Sequence, residues 1–214
     1  MSQLETKLLT DTWIAATWDE YIQIIEKPEY EKAKGYYHNG QMRLEMPPVG
    51  NDHASDHTII IGTIALFAAA KGISLNGKDN CTYRKIGVDE AQPDVSYYMG
   101  ENVDVVPYGT SIIDLNIYPP PTLVIEVANT SLSDDKGEKR LLYEELGVSE
   151  YWIIDVKNVQ VIAFVIENGG SRRITQSQAL PGLKISLLNE AFRRTRQMNQ
   201  GQVYAWLLAQ FQQS

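Results

Sequence analysis

Leu123-Val124-Ile125-Glu126-Val127 is a short apolar run that carries a single carboxylate. Its length and its β-branched residues predict a buried β-strand. Because alternate side chains of a strand point to opposite faces, Glu126 should share a face with Val124 and Ala128. An isolated buried carboxylate is expensive, so it is normally paired, protonated or bound to a metal ion. The sequence of this strand therefore predicts that it lies at the centre of the fold and that Glu126 belongs to a functional site.

A second carboxylate stands at the start of an earlier strand. Proline is tolerated at the first residue of a strand, so Pro93-Asp94 is predicted to open one that extends to about Met99. Asp94 and Glu126, on adjacent strands of one sheet, can share a hard cation such as Mg²⁺ or Mn²⁺, which prefers oxygen ligands. We predict these two side chains as metal ligands, with the backbone carbonyl of Val127 as a third.

A lysine completes this set. A helix is predicted over about residues 134–146, and Lys139 lies on its apolar face at helical spacing from three buried-type residues. An inward-facing ammonium needs a partner, which the two carboxylates would supply. Two acids and a lysine around a metal-bound water form an arrangement that hydrolyses phosphodiesters. Lys136 and Arg140 remain as alternatives for the lysine position.

Several motifs resemble those of one known family. Two of them, Gln92-Pro93-Asp94-Val95-Ser96-Tyr97 and the strand 123–127, resemble the core motifs of the PD-(D/E)xK nuclease superfamily. The more specific motifs are similar to those of the Uma-type family of putative restriction endonucleases: Gly137-Glu138-Lys139, Tyr143, Gly147-Val148-Ser149-Glu150-Tyr151-Trp152-Ile153-Ile154-Asp155 and Pro181-Gly182-Leu183. The resemblance covers roughly Thr17 to Phe192.

This resemblance implies a restriction-endonuclease-like three-layer core, in which helices flank a mixed β-sheet, and metal-dependent cleavage of DNA. It also bears on the catalytic lysine. The E-x-K pattern of the superfamily expects Lys two residues after Glu126, where Ala128 stands. In the Uma-type family the lysine is in the following helix, which indicates Lys139 as the catalytic partner of Asp94 and Glu126.

Two histidines come at the start of a long predicted helix that runs from about His53 to Lys71. His53 and His57 are four residues apart, a spacing that can bind a metal ion. Ala54 stands where the HExxH pattern needs a glutamate, which argues against a metalloprotease-type site. We predict an accessory role in the site for His53.

Glu45 and Gln92 are two further candidates for accessory roles. Glu45 lies on the Arg43 face of a predicted hairpin strand, which is either an exposed face or the position of a third acid near the metal. Gln92 flanks Asp94 and could position water or phosphate, although a structural role fits equally well.

The rest of the chain predicts one α/β domain with mixed α+β character. A capping box at Thr17–Glu20 begins a helix, and Asn39-Gly40 suits the type I′ turn of a hairpin over residues 36–46. Further strands are predicted near 73–75, 83–88, 151–155, 159–166 and 172–176. A last strand is predicted to begin at Pro181-Gly182, and a helix is predicted near 187–198. No repeat or linker divides the chain, so we predict a single domain over 1–214, with a core of about 17–192.

Composition restricts the function classes. The formal net charge of -8 does not favour a protein that holds long nucleic acid by its own charge, because phosphate binding depends on Lys and Arg. We therefore keep an alternative to the endonuclease, a non-catalytic binding or interaction module on a nuclease-like fold. No G-x-S-x-G elbow, Walker A loop or G-x-G-x-x-G fingerprint occurs. Without an apparent signal peptide or membrane span, the expected location is the cytoplasm.

The C-terminal extension, residues 199–214, is apolar and rich in Gln. Restriction-type nucleases often dimerise so that two sites can cut two strands. We predict this extension to be a further helix or the contact of a homodimer, formed by Val203, Tyr204, Trp206, Leu207, Leu208 and Phe211.

Overall fold

A computed structural model describes residues 10–46 and 50–213 of the chain. Its helices are α1 (Trp18–Ile25), α2 (Asn51–Lys71), α3 (Leu132–Lys136), α4 (Glu138–Leu146), α5 (Ile185–Thr195) and α6 (Gln200–Gln213). Its strands are β1 (Ile14–Ala15), β2 (Lys34–His38), β3 (Gln41–Glu45), β4 (Leu75–Asp79), β5 (Tyr83–Lys85), β6 (Asp89–Ala91), β7 (Val95–Met99), β8 (Ile113–Asp114), β9 (Leu123–Ala128), β10 (Glu150–Asp155), β11 (Gln160–Glu167) and β12 (Gly170–Ile174). Single 3₁₀ turns occur at Pro28–Tyr30 and Gly100–Asn102.

The strands of the described ranges form two six-stranded sheets. The central sheet has the order β12-β11-β10-β9-β7-β4, in which β9 and β10 are parallel and the other pairs antiparallel. The second sheet has the order β1-β3-β2-β6-β5-β8. Its short strands hydrogen-bond to one another and form a sheet distinct from the central one. The mixed α/β class is confirmed, and the second sheet is an addition to the one sheet that the sequence indicated.

The central sheet is covered on both faces, which gives the three layers. Leu123, Ile125 and Val127 pack with residues of α2, α5 and α6 in the largest hydrophobic cluster. The alternate residues Val124 and Ala128 pack on the other face, with residues of α4, β2 and β6. The alternation predicted for this strand is therefore observed, and Glu126 faces the α4 side.

Local signals in the sequence place several elements correctly. Thr17 forms the capping box: the Glu20 N–H donates to its hydroxyl, and its own N–H donates to the Glu20 carboxylate. Asn39 and Gly40 have φ of 47° and 71°, which fits the predicted type I′ turn between β2 and β3. Residues 1–9, 47–49 and 214, which belong to the predicted domain, lie outside the described residues.

Other boundaries differ from the prediction. The helix predicted over 134–146 is two helices that meet at Gly137, and the strand predicted over 83–88 is a hairpin of β5 and β6 turned at Gly87, where φ is 78°. The strand expected to begin at Pro181-Gly182 is not formed, and the nearby pairing is one bridge between Gln176 and Lys184. The helix break at Gly137 and the hairpin turn at Gly87 each fall at a glycine, which adopts backbone conformations that other residues rarely adopt.

One face of the C-terminal helix α6 packs into the core of the domain. Val203, Leu207 and Phe211 are at most 1% exposed and pack with Phe67 and other core residues. These three side chains are therefore core residues, and the prediction that they contact a second copy of the chain is wrong. Across residues 10–46 and 50–213, no helix has the length and apolarity that crossing a bilayer requires.

Candidate active site

A cavity of about 200 Å³ opens where the second sheet meets the ends of β7 and β9. It collects polar side chains from distant parts of the chain. Its lining comprises Asp11, Lys34, Arg43, Glu45, Met46, His53, Asp94, Glu126, Val127, Asn129, Thr130, Ser131 and Lys139. All three predicted catalytic residues, and two of the three accessory ones, are in this set.

Asp94 is held on both of its carboxylate oxygens. Lys34 from β2 forms an ion pair with Oδ1, and the Val127 N–H donates to Oδ2 at 2.7 Å. His53 Nε2 is 3.6 Å from the same Oδ2. Burial raises the pKa of Asp94, but the Lys34 ammonium, His53 and the Val127 N–H outweigh it and hold that pKa well below its usual range. Asp94 is therefore ionised at neutral pH.

Glu126 lies beside Asp94 and is buried. β7 and β9 are antiparallel with Val95 opposite Ile125, and continuing that register by one residue places Asp94 opposite Glu126 on the same face. Glu126 Oε1 accepts from Tyr143 OH at 2.6 Å and from Tyr36 OH at 3.2 Å. Burial, with the nearby charge of Asp94, raises the pKa of Glu126 to about 8 although Lys139 lowers it.

Lys139 is buried and surrounded by anions. Its Nζ is 3.0 Å from Glu45, 3.1 Å from Asp135 and 3.8 Å from Glu126. It also lies 4.3 Å from the centre of the Tyr36 ring, a cation–π distance. Burial lowers the pKa of Lys139, but the three carboxylates outweigh it and raise that pKa well above the usual value. Lys139 is therefore a permanent cation at this site.

The carboxylates around Lys139 are held by further partners. Arg43 Nε donates to Glu45 at 2.7 Å and is 3.1 Å from Asp134, and Ser131 Oγ donates to Asp135 at 2.6 Å. Burial raises the pKa of Glu45, but Lys139 and Arg43 outweigh it and lower that pKa. Glu45 is therefore the third acid of the cavity and does not lie on an exposed strand face.

The geometry separates the alternatives for the lysine position. Lys136 is exposed at the end of α3. Arg140 is on the outer side of α4, where it pairs with Glu144 and Ser171. Lys139 is in the cavity, as the facing argument predicted, and is 1% exposed.

Two residues that the sequence suggested lie outside the cavity. The Gln92 amide donates to the Asn80 carbonyl at 3.0 Å and does not line the cavity, so its accessory role stays a prediction. His57 is directed toward Asp79, with Nε2 and Oδ1 3.3 Å apart, although its ring lies 5.9 Å from that of His53. Of the two histidines, His53 alone lines the cavity.

Sequence reasoning missed Lys34, Tyr36 and Asp135 as members of the site. Lys34 is 60 residues from Asp94 in the chain, so no local spacing connects them. One signal was present: in the hairpin strand, Lys34 and Tyr36 alternate onto the same face. Asp135 is four residues before Lys139, the helical spacing of an ion pair, but the interruption at Gly137 hid its inward orientation.

The oxygen donors at the cavity fit a hard divalent cation. The Ala128 carbonyl accepts from the Val156 N–H on the β10 side, and neighbouring residues of a strand point to opposite edges, so the Val127 carbonyl faces the Asp94 side. Asp94, Glu126 and this carbonyl offer the type of ligand that Mg²⁺ takes. In the described ranges, no cluster of three or more His, Cys, Asp or Glu side chains has the arrangement of a metal site.

Comparison with known proteins identifies the class of this domain. A crystal structure of a protein described as a putative nuclease belonging to DUF820, from Anabaena variabilis ATCC 29413, superposes with a TM-score of 0.53 and 19% sequence identity. The match covers 90% of this chain and 99% of the other. The domain therefore has a nuclease-like α/β fold. No curated protein matches the chain.

The family is shown by its sequence model. The model of the Uma2 family, described as putative restriction endonucleases, matches residues 18–199. The chain belongs to this family, which confirms the resemblance inferred from its motifs.

Proposed function

We propose that the protein is a Mg²⁺- or Mn²⁺-dependent endonuclease that hydrolyses phosphodiester bonds of DNA. The observation that carries this proposal is the meeting, in one cavity, of two carboxylates on adjacent strands with a buried lysine whose charge cannot be lost at neutral pH. Acids and a lysine around one small cavity are the groups that phosphodiester hydrolysis requires.

Each residue has a distinct role in the proposed reaction. Asp94, fixed by the Val127 N–H, and Glu126, fixed by Tyr143, would hold the metal together with the Val127 carbonyl. The bound ion would lower the pKa of a water molecule and offset phosphate charge. Lys139 adds a positive charge that stabilises the negative charge developing on the phosphate.

The charge pairing of the site favours a role for the ion in substrate binding. Lys34 is paired with Asp94, and Lys139 is shared among three acids, so both lysines already have anionic partners. A bound divalent cation would supply the positive charge that attracts a phosphate to the cavity. This agrees with the net charge of -8, because the metal supplies positive charge that the chain lacks.

One observation favours a second candidate, a non-catalytic binding or interaction module on the same fold. Lys34 neutralises Asp94 and Lys139 neutralises its acids, so the site is charge-paired without any ion. Such a module would fold and bind its partner without metal, and it would show no turnover of nucleic acid.

Calorimetric titration with Mn²⁺ and Mg²⁺, followed by a plasmid-nicking assay with each ion, tests the proposal. The wild type is compared with a double variant, Asp94→Asn with Glu126→Gln, and with Glu167→Gln, a matched change at an exposed carboxylate on the far edge of the central sheet. We expect binding and nicking to be lost in the double variant and retained in Glu167→Gln. If the folded wild type fails to nick DNA in the presence of Mn²⁺ and also in the presence of Mg²⁺, the binding module becomes the better explanation.

A further inference from the structure

The two lysines of the cavity have different surroundings. Lys139 is shared among three carboxylates and a tyrosine ring, which hold it from several sides. Lys34 has one carboxylate partner among the residues that the structure describes, and that partner is Asp94. Lys34 is 6% exposed and lines the same cavity, so its ammonium is buried with one carboxylate in direct contact, while its charge also acts on Glu126.

The Lys34 ammonium occupies the Asp94 oxygen that a metal ion would need. The Val127 N–H already occupies Oδ2, and His53 lies on the same side. Oδ1 is the oxygen left for a metal ion, and the Lys34 ammonium is on that oxygen. A divalent ion and an ammonium at one carboxylate oxygen repel each other strongly in a buried site, because the low local dielectric weakens screening.

We propose that Lys34 is an exchangeable internal counter-ion of the metal site: a divalent ion binds at Asp94 by displacing the Lys34 ammonium from Oδ1. The proposal rests on the metal site of the proposed function and adds a competitor to it. In the metal-free protein the ammonium contacts Oδ1 of Asp94 while the Val127 N–H donates to Oδ2, so the carboxylate has a fixed orientation before the ion arrives.

The displaced ammonium stays near the site, because its backbone is held in β2 between β3 and β6. It then lines the cavity as a cation without its former partner. A phosphate group brought into the cavity is the kind of anion that can pair with it. Lys34 thus has two consecutive roles in the proposal, first as a placeholder for the metal and then as a phosphate contact.

The test is the Mn²⁺ affinity of the full-length protein, measured by calorimetry. Lys34→Met keeps the length of the side chain and removes its charge, so the ion no longer competes with an ammonium. We expect Lys34→Met to bind Mn²⁺ at least roughly tenfold more tightly than the wild type, a change of about 1.4 kcal/mol. Lys136→Met removes an exposed lysine outside the cavity and is expected to bind as the wild type does.

A second variant covers the case in which Lys34→Met, with Asp94 unpaired, does not fold. Lys34→Arg keeps a cation on Asp94 and is expected to bind Mn²⁺ no more tightly than the wild type. Equal affinities of the wild type and Lys34→Met, or a Lys34→Arg protein that binds more tightly than the wild type, would overturn the proposal and leave the metal site intact. Absence of Mn²⁺ binding in the wild type and every folded variant would instead reject the metal site itself.

Discussion

Replacement of Lys139 by methionine tests whether this lysine supports the fold as well as the site. We expect it to support both, because the ammonium of this 1% exposed side chain is within 3.8 Å of Glu45, Asp135 and Glu126. Methionine fills the same space and leaves these carboxylates without their shared cation.

The expected magnitude follows from the cost of an uncompensated buried charge. Removing one partner of a buried ion pair typically costs about 3–5 kcal/mol. The free energy of unfolding of a whole domain is only about 5–15 kcal/mol. We therefore expect Lys139→Met to lose about 3–5 kcal/mol of stability at pH 8. The loss should shrink as the pH falls toward 5, because protonation of the acids, among them Glu126 with its burial-raised pKa of about 8, removes their mutual repulsion.

Urea denaturation followed by tryptophan fluorescence measures this loss, since Trp152 is fully buried in the core and reports on unfolding. Lys136→Met, an exposed change one turn away along the chain, is the control and should stay within about 0.5 kcal/mol of the wild type. Adding Asp135→Asn to Lys139→Met removes one of the stranded charges and should restore part of the stability. A Lys139→Met protein as stable as the Lys136→Met control would refute the view that this cation holds the acids together.

Two further changes test the site and the core. In the wild type, burial keeps Glu126 protonated in the folded protein, while the unfolded chain ionises at its ordinary pKa of 4.5. The free energy of unfolding of the wild type should therefore fall as the pH rises from 4.5 to about 8. Glu126→Gln should remove this fall. At 1.36 kcal/mol for each pKa unit, the fall amounts to roughly 5 kcal/mol. It is measured by denaturation of the metal-free protein at several pH values. Identical pH profiles of the variant and the wild type would contradict this prediction. Phe211→Ala should cost about 3–5 kcal/mol in the same assay, since the ring packs edge-to-face on Phe67 at 5.0 Å, whereas a cost below about 1 kcal/mol would mean that α6 is not part of the core.

The sequence by itself determined the features that depend on neighbours along the chain. The alternation in residues 123–127 placed Glu126 on the opposite face from Ile125, and the capping box at Thr17 and the turn at Asn39-Gly40 formed as predicted. The helical spacing of Lys139 predicted its inward orientation. These features follow from backbone geometry and from interactions that span only a few residues, so a local pattern is enough to reveal them.

Only the tertiary structure decided which distant groups meet. Lys34 reaches Asp94 across 60 residues, Lys139 reaches Glu45 across 94, and Tyr36 reaches Glu126 across 90. The second sheet and the burial of α6 likewise depend on contacts between remote segments. A buried charge pairs with the opposite charge that the packing of the layers brings within a few ångströms. The spacing of residues along the chain does not determine that distance. The charge pairing in the cavity therefore follows only from the assembled layers.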